Sequence, residues 1–381
     1  MRKCNISLAL ISAVTTVALA GCGGAGQTRK AALMGRVADA SGLPVAGVTV
    51  SLASNPAVHT TTNSQGVYRL SGVPSGDHDF VVNYSKGSYA TTQAVAKVAN
   101  GRESTVDAYM LKEGRTIVLD GTIENVVQDN RPDGKNVKIT FPANSIVNAA
   151  GAPIAAPIVT ITSSSPSDSR FNYTFPGLFV GQNGGNEVPL INHGLVNVKL
   201  TDGSGAAAKL DPAKPATVEV PVPEGSFDPG LPAVPIWSLN PATGKWTPEA
   251  LATRDTTVTP AVYRAQVTHF SWWAINTYPT TVHYILVKVV QDPTILPYAP
   301  VIGADVRVRA DRGSWQARGV TDISGSISFT VPPPGPYWVE AKLAYYEDKG
   351  IYSQSTTGPL TTVIYWLKPS LTGAPGGCPD C

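Results

Sequence analysis

The sequence is poor in charged residues and in cysteine. Charged side chains make up 15% of its 381 residues, and cysteine occurs four times. After the N-terminal segment, no long stretch repeats apolar residues at helical spacing, so the chain is not predicted to be helical. The formal net charge is +2, and Arg2 and Lys3 account for it, since the rest of the chain is formally neutral. Nucleic-acid binding needs a basic face, so we expect no nucleic-acid partner.

Turn-forming residues are abundant instead, with 36 glycines and 32 prolines. Between these turns, short runs alternate apolar and polar side chains, as in residues 48–52, 137–141 and 195–200. A period of two is typical of half-buried strands. The composition therefore predicts an all-β chain of tandem β-sandwich domains, and the length suggests about two to four domains.

The N-terminus has the organisation of an export signal. Arg2 and Lys3 precede a short apolar run that ends near Ala20, too short and too interrupted for a permanent membrane span. Residues 19–22 read Leu-Ala-Gly-Cys, which resembles the bacterial lipobox, whose cysteine receives a diacylglycerol as the chain is cut before it. The alternative is an ordinary signal peptide with an incidental cysteine.

The lipobox resemblance implies a lipoprotein signal peptide over 1–21, lipid attachment at Cys22 and a tether over 22–32. The protein would then be anchored in a membrane of the cell envelope through its lipid. In some bacterial lipoproteins an Asp after the cysteine favours the inner membrane. Gly23 stands there, so the outer membrane is the expected location.

Residues 33–112 contain an ordered set of turn motifs. Residues 44–47 read Pro-x-x-Gly before a strand, residues 62–68 read Thr-Asn-x-x-Gly-x-Tyr, and residues 74–76 read Pro-x-Gly. This order resembles the carboxypeptidase regulatory-like domain, a small transthyretin-like β-sandwich. That domain is not catalytic, so the resemblance implies no peptidase activity.

The C-terminal part repeats the same order of motifs. Residues 300–306, 321–325 and 334–339 correspond to the three elements above, and Gly325 and Gly335 are spaced like Gly66 and Gly76. We therefore expect a second regulatory-like β-sandwich over 280–371, with the same strand order as the first.

The central region, residues 113–276, also consists of predicted strands. Trp237-x-Leu239, a turn and Gly244-Lys245-Trp246 predict a hairpin whose tryptophans lie near each other. With residues 141–145 and the closing segment 269–273, this region resembles a domain of the cartilage intermediate layer protein family. The resemblance implies an all-β architecture and says little about function.

Recognisable catalytic and metal-binding motifs are missing. The histidines do not form a His-x-x-x-His pair, and the chain has neither a Gly-x-Ser-x-Gly elbow nor a phosphate-binding loop before a helix. We expect no metal, no cofactor and no enzymatic activity. Trp272, Trp273 and His269 could stack on a ligand such as a sugar, but core packing is the favoured interpretation. Adjacent strand residues point to opposite faces, so one tryptophan of the pair is expected to be buried and the other partly exposed.

Residues 372–381 form a predicted flexible tail that ends in Cys378-Pro379-Asp380-Cys381. In an exported protein two nearby thiols are expected to oxidise. A disulfide, local or between chains, is favoured over half of a metal site.

Together these features predict a non-enzymatic, membrane-anchored lipoprotein of the cell envelope that acts in binding, adhesion or scaffolding, with an envelope protein or glycan as partner. The alternative is a carbohydrate- or peptidoglycan-binding lipoprotein. That alternative requires tryptophans exposed on one face. A third possibility, an enzyme with a dispersed site, requires a buried ionisable cluster in a large pocket.

Overall fold

The computed structural model describes residues 31–74, 76–98, 102–168, 171–310, 315–332, 336–355 and 360–370. Over these residues the chain is all-β, as expected, with one short helix α1 (Phe171–Thr174) and one 3₁₀ turn (Gly225–Phe227). Cys22, Cys378 and Cys381 lie outside the described residues, as does the signal segment. Within the described ranges, no helix is long and apolar enough to cross a membrane.

The first unit is a sandwich of two small sheets, and residues 67–71 and 49–52 alternate buried and more exposed side chains as predicted for half-buried strands. One sheet has the order β4-β1-β7, with β8 also paired to β1, and the other has the order β3-β2-β5-β6. The strands are β1 (Ala32–Asp39), β2 (Thr49–Leu52), β3 (His59–Thr61), β4 (Val67–Ser71), β5 (Gly76–Ser85), β6 (Thr92–Val98), β7 (Glu103–Thr105) and β8 (Ala108–Met110).

The central unit is built on one large sheet with the order β10-β11-β18-β21-β20-β19-β22-β16-β13-β9, to which the β14–β15 hairpin is added. β12 and β17 pair separately. The strands are β9 (Arg115–Val118), β10 (Asn125–Gln128), β11 (Lys138–Phe141), β12 (Ile146–Val147), β13 (Ile158–Ser164), β14 (Val180–Asn183), β15 (Asn186–Pro189), β16 (Ile191–Thr201), β17 (Lys209–Leu210), β18 (Ala216–Pro221), β19 (Ala233–Leu239), β20 (Trp246–Asp255), β21 (Val262–Val267) and β22 (Trp272–Thr277).

The last unit is again a sandwich, with sheets β26-β23-β29-β28 and β25-β24-β27. Its strands are β23 (His283–Val290), β24 (Asp305–Ala310), β25 (Gln316–Val320), β26 (Ser326–Val331), β27 (Tyr337–Lys342), β28 (Tyr346–Ser355) and β29 (Leu360–Pro369).

A buried threonine joins the same two loops in both sandwiches. In the first, the Thr62 hydroxyl donates to the Val45 carbonyl at 2.7 Å and accepts from the Val48 amide at 2.9 Å. In the last, the Thr321 hydroxyl donates to the Val301 carbonyl at 2.8 Å and accepts from the Ala304 amide at 2.9 Å. The hydroxyl thereby satisfies two buried backbone groups that would be costly to leave unpaired.

A glycine four residues after each threonine allows the chain to turn against the first strand. Gly66 and Gly325 have φ values of +73° and +69°. The Gly66 carbonyl accepts a hydrogen bond from the Val37 amide, and the Gly325 carbonyl accepts one from the Val289 amide, each at 2.8 Å. The repeated motif of the sequence therefore corresponds to a repeated set of hydrogen bonds.

The two sandwiches differ at the sixth strand. β6 pairs with β5, whereas β28 pairs with β29 and so lies in the opposite sheet. The expectation of one strand order in both units is therefore wrong at this strand. Strand pairing here depends on the sequence after the shared turns, where residues 85–111 and 343–370 show no common motif. Gly335 lies outside the described residues.

The glycine prediction uses Gly66→Ala, with Gly47→Ala as its matched control. Both glycines have positive φ, so both alanines carry the cost of a left-handed backbone, about 1–2 kcal/mol. A Cβ at Gly66 would lie 2.4 Å from the Val37 carbonyl oxygen, whereas at Gly47 it meets nothing within 4 Å. Gly66→Ala should therefore lower the free energy of unfolding clearly more than Gly47→Ala in urea denaturation. Equal losses would contradict this account of the turn.

Candidate functional site

The tryptophan pair at the start of β22 is not a ligand-stacking platform. Trp272 and Trp273 point to opposite faces, as expected, but both are buried, with exposures of 5% and 1%. Trp273 packs in the large core of the central sheet, and Trp272 in a second cluster that includes Ala90 of the first sandwich. The expectation that one of them is partly exposed is wrong because the first sandwich and α1 cover the second face.

The predicted tryptophan hairpin is present. β19 and β20 pair so that Leu239 lies opposite Trp246. Trp237 and Trp246 are both fully buried, and the Trp246 ring lies 4.8 Å from that of Phe175.

His269 is the exposed member of the proposed stacking group. Its ring lies 4.9 Å from that of Trp273, and its Nε2 is 3.7 Å from Glu249. The structure thus brings His269 to Trp273 but directs Trp272 to the other face of the sheet. These three residues do not form a common surface.

The tryptophans should therefore act through stability. Trp246→Ala should lower the free energy of unfolding by about 3–5 kcal/mol, whereas Trp338→Ala, at a position that is 53% exposed, should cost less. Thermal and urea denaturation measure the difference, and a glycan array tests binding in parallel. A Trp246→Ala protein of unchanged stability that loses glycan binding would overturn this assignment.

The three units meet through direct contacts. Between the two sandwiches, the Thr105 amide donates to the Gly303 carbonyl at 3.1 Å, and the Ala344 amide donates to the Thr105 hydroxyl at 2.9 Å. Trp272 of the central unit donates through Nε1 to the Thr91 carbonyl at 2.7 Å. Val320 of β25 packs in the hydrophobic core of the first sandwich. At this junction the hydrophobic core of the first sandwich therefore includes a side chain from the last sandwich.

Arg307 connects all three units. Its guanidinium carbon lies 5.4 Å from the ring centre of Tyr109 in the first sandwich and 5.0 Å from that of Tyr173 in α1. The Tyr173 hydroxyl donates to Glu340 of β27 at 3.2 Å. A cation stacked on two rings away from bulk water stabilises the contact.

An ion pair lies beside Arg307 in the last sandwich. Arg318 donates through Nε and Nη2 to the two carboxylate oxygens of Asp305, each at 2.8 Å. Asp305 is only 3% exposed. Burial alone would raise the pKa of Asp305, but Arg318 and Arg307 outweigh that effect and hold it below its usual 3.8. The carboxylate therefore stays charged and fixes β25 to β24.

Asp305→Asn should lower the free energy of unfolding at pH 7 by about 3 kcal/mol, because it leaves Arg318 without its partner. The contribution of Asp305 is fully present above its unfolded pKa and is lost as pH falls through the lower folded value. The stability difference between wild type and variant should accordingly shrink below pH 3.8. Denaturation of both proteins at pH 7 and pH 3 measures it, with the exposed Asp79→Asn as control. A difference that is unchanged at pH 3 would contradict the ion-pair account.

A cleft of about 410 Å³ opens at the junction. Most of its lining comes from four strands, each with one partner among the described residues: β6 of the first sandwich, β15 of the central unit, and β25 and β26 of the last sandwich. Asp79, Asp322 and residues 178–180 complete it. Its lining includes residues 95–97, 187–189, 317–320 and 326–330.

These lining residues are consecutive in sequence, and this shows how the strands face the cleft. A strand that presents one face contributes every second residue, because side chains alternate. Four strands that contribute consecutive residues instead turn their edges toward the cleft. An unpaired strand edge carries backbone N–H and C=O groups that can pair with another chain.

The charges at the cleft are mostly acidic. Asp79, Glu187 and Asp322 are exposed acids in the lining, and Lys97 is the base beside them, 3.7 Å from Asp79. Arg318 also lines the cleft, but Asp305 neutralises it. The site can therefore offer main-chain hydrogen bonds, apolar walls and a negative field.

A second, polar pocket of about 330 Å³ lies next to β13. Ser163 donates to Oδ2 of Asp129, and burial raises the pKa of Asp129. Among the residues that the structure describes, Oδ1 of the same carboxyl has no hydrogen-bond partner. Arg131 is held by Asp133 and Asp168. Within the described ranges, no group of three or more potential ligands is placed to hold a metal ion.

The buried histidine is structural. His193 lies 2.7 Å from the Phe227 carbonyl through Nδ1 and 2.8 Å from the Thr277 hydroxyl through Nε2. Burial lowers its pKa, so the neutral ring at neutral pH donates one hydrogen bond and accepts the other. The charge of Asp228 acts on the ring in the opposite direction, raising its pKa, but burial is the larger effect.

Comparison with known proteins identifies one part of the chain. The family model of the carboxypeptidase regulatory-like domain matches residues 32–111. That stretch is similar to carboxypeptidase regulatory-like domains. The resemblance inferred for the first module is thus confirmed, while those of residues 280–371 and of the central region stay predictions. A search of the curated proteins finds no match.

Solved structures give distant likenesses. The TIE protein of Bacillus anthracis is 13% identical over 89% of this chain and 50% of its own, with a TM-score of 0.19. The chain thus spans half the length of that protein. The major pilin subunit BcpA of Bacillus cereus is 9% identical over 89% of this chain and 99% of its own, with a TM-score of 0.18. Two B repeat units of the collagen binding protein of Staphylococcus aureus are 12% identical over 88% and 74%, with a TM-score of 0.16. Likenesses this distant carry no argument about function.

The cleft was not predicted from the sequence. Its walls come from residues separated by more than 200 positions, and nothing in their local pattern indicates that they meet. The one available signal is the polar, turn-bounded character of residues 322–330, which predicts a strand but not an unpaired edge.

Proposed function

We propose that this protein is a non-enzymatic binding and scaffold lipoprotein of the cell envelope, anchored through Cys22, with the junction cleft as its binding site. The observation that carries the proposal is the cleft itself, where four strand edges from three units line one opening. The ionisable groups nearest to it are engaged in ion pairs and hydrogen bonds. Such a site suits recognition better than proton transfer.

The anchor and the body have separate roles in this proposal. The lipid holds the protein at a membrane, with the outer membrane favoured, and residues 22–32 act as a tether. The three units then form a rigid β body that presents the cleft. The partner is an envelope protein, which the next subsection specifies.

The glycan-binding alternative has less support. It requires tryptophans grouped on an exposed face, yet Trp237, Trp246, Trp272, Trp273 and Trp315 are all buried. Trp338 is exposed, but its neighbour at the ring is Arg309, at 5.5 Å. Trp366 is half-buried, and its Nε1 donates to the Gln291 carbonyl at 2.7 Å. A single exposed ring does not make a platform.

The anchor prediction uses Cys22→Ala, with Cys4→Ala as its matched control. Both cysteines lie in the N-terminal segment, but only Cys22 follows the lipobox-like residues 19–21. Labelled palmitate should be incorporated into wild type and Cys4→Ala, and both should sediment with membranes. Cys22→Ala should remain unlabelled and uncleaved. Labelling of Cys22→Ala at the wild-type level would refute the anchor.

A further inference from the structure

We infer that the cleft binds an extended, basic polypeptide segment, which adds as a strand to the edge of β26. This inference rests on the proposed binding function and names the ligand class. It follows from the direction of the strand edges, the length of the exposed edge and the charge around it.

The edge of β26 has the length and position that strand addition needs. Residues 326–330 line the cleft without a break, and β26 pairs with β23 on its other side. At its start the Ser326 N–H donates to Asp322 and the Ser326 carbonyl accepts from the Asp322 amide. Since every second residue of a paired strand points its main-chain groups outward, Ser328 and Thr330 offer the N–H and C=O groups to which a peptide can pair. Strand addition of this kind draws its affinity from the main chain and its specificity from the side chains.

The walls supply apolar surface on one side of such a peptide. Val95 of β6, Val188 of β15 and Ile327 of β26 all line the cleft. Ile327 is half-buried. A Cβ placed on Gly319 would lie only 2.4 Å from the Cδ1 atom of Ile327. The absence of a side chain at Gly319 therefore makes room for Ile327 between the two edge strands.

Charge decides the class of peptide. Three exposed acids and the half-buried Lys97 surround the opening. Asp79 pairs with Lys97 and Glu187 with Lys245, which lies outside the lining, so the three acids and two lysines leave one net negative charge at the opening. A peptide with Lys or Arg at alternate positions places apolar side chains toward one wall and cations toward the acids. Electrostatic complementarity of this kind favours basic over acidic segments.

The experiment uses the full-length lipoprotein in detergent and three labelled heptapeptides, with fluorescence anisotropy as the readout. The first peptide alternates Lys and Val. The second replaces Lys by Glu, and the third is the Lys peptide with alternate backbone nitrogens methylated. We expect the first to bind, and the other two to bind at least tenfold more weakly. Equal binding of the methylated peptide would show that main-chain pairing is absent and overturn the inference.

Two equivalent positions provide the variants. Thr330 and Ser71 occupy the same place after Gly325 and Gly66, both are exposed, and only Thr330 lines the cleft. Thr330→Trp should abolish binding of the Lys peptide, whereas Ser71→Trp should leave it unchanged, with melting curves to verify the fold of both. Asp79→Lys offers a second route without a bulky residue and should weaken binding at least threefold.

The outcomes separate this inference from the proposed function. If the basic peptide fails to bind, or binds Thr330→Trp as tightly as wild type, strand addition at β26 is wrong. Palmitate labelling and membrane association would be unaffected by that result. If instead Cys22→Ala is labelled normally while the peptide binds at the cleft, the anchor is wrong and the ligand assignment stands.

Discussion

A carboxylate buried beside two arginines determines how the last sandwich meets its neighbours. Asp305 binds Arg318 through both oxygens and lies 3.7 Å from Arg307. Removing a carboxylate from water is costly, and only close cations and hydrogen bonds offset that cost. The pair therefore fixes β25 to β24, which places Val320 in the core of the first sandwich and the other edge of β25 in the cleft. Arg307 remains available to stack on Tyr109 and Tyr173, so one local charge arrangement serves contacts with both other units.

The strand edges in the cleft also bear on solubility. Unpaired edges invite pairing with other copies of a chain, and proteins commonly cover or charge them. Here the edges of β6, β15, β25 and β26 face one another across a narrow opening. Acids at Asp79, Glu187 and Asp322 discourage pairing with another copy, which would bring like charges together. The same arrangement leaves the opening accessible to a chain of opposite charge.

Local features of the fold were predictable, because they depend on near neighbours. The Trp237–Trp246 hairpin and the Thr62–Gly66 turn come from spacing within a few residues, and the structure contains both. The burial of Trp272 was not predictable in this way, since Ala90 and α1 cover it from distant parts of the chain. For the same reason the position of β28 and the cleft itself could not be derived. Periodicity shows which residues form a strand, but not which strand lies beside it.

The central claim is that the three units form one body at the junction, and differential scanning calorimetry tests it most directly. If the Arg307 and Val320 contacts join the units as described, the protein should unfold in one transition whose calorimetric and van't Hoff enthalpies agree. Two or three separate transitions, each the size expected for a single unit, would contradict it, because the cleft would then have no fixed walls.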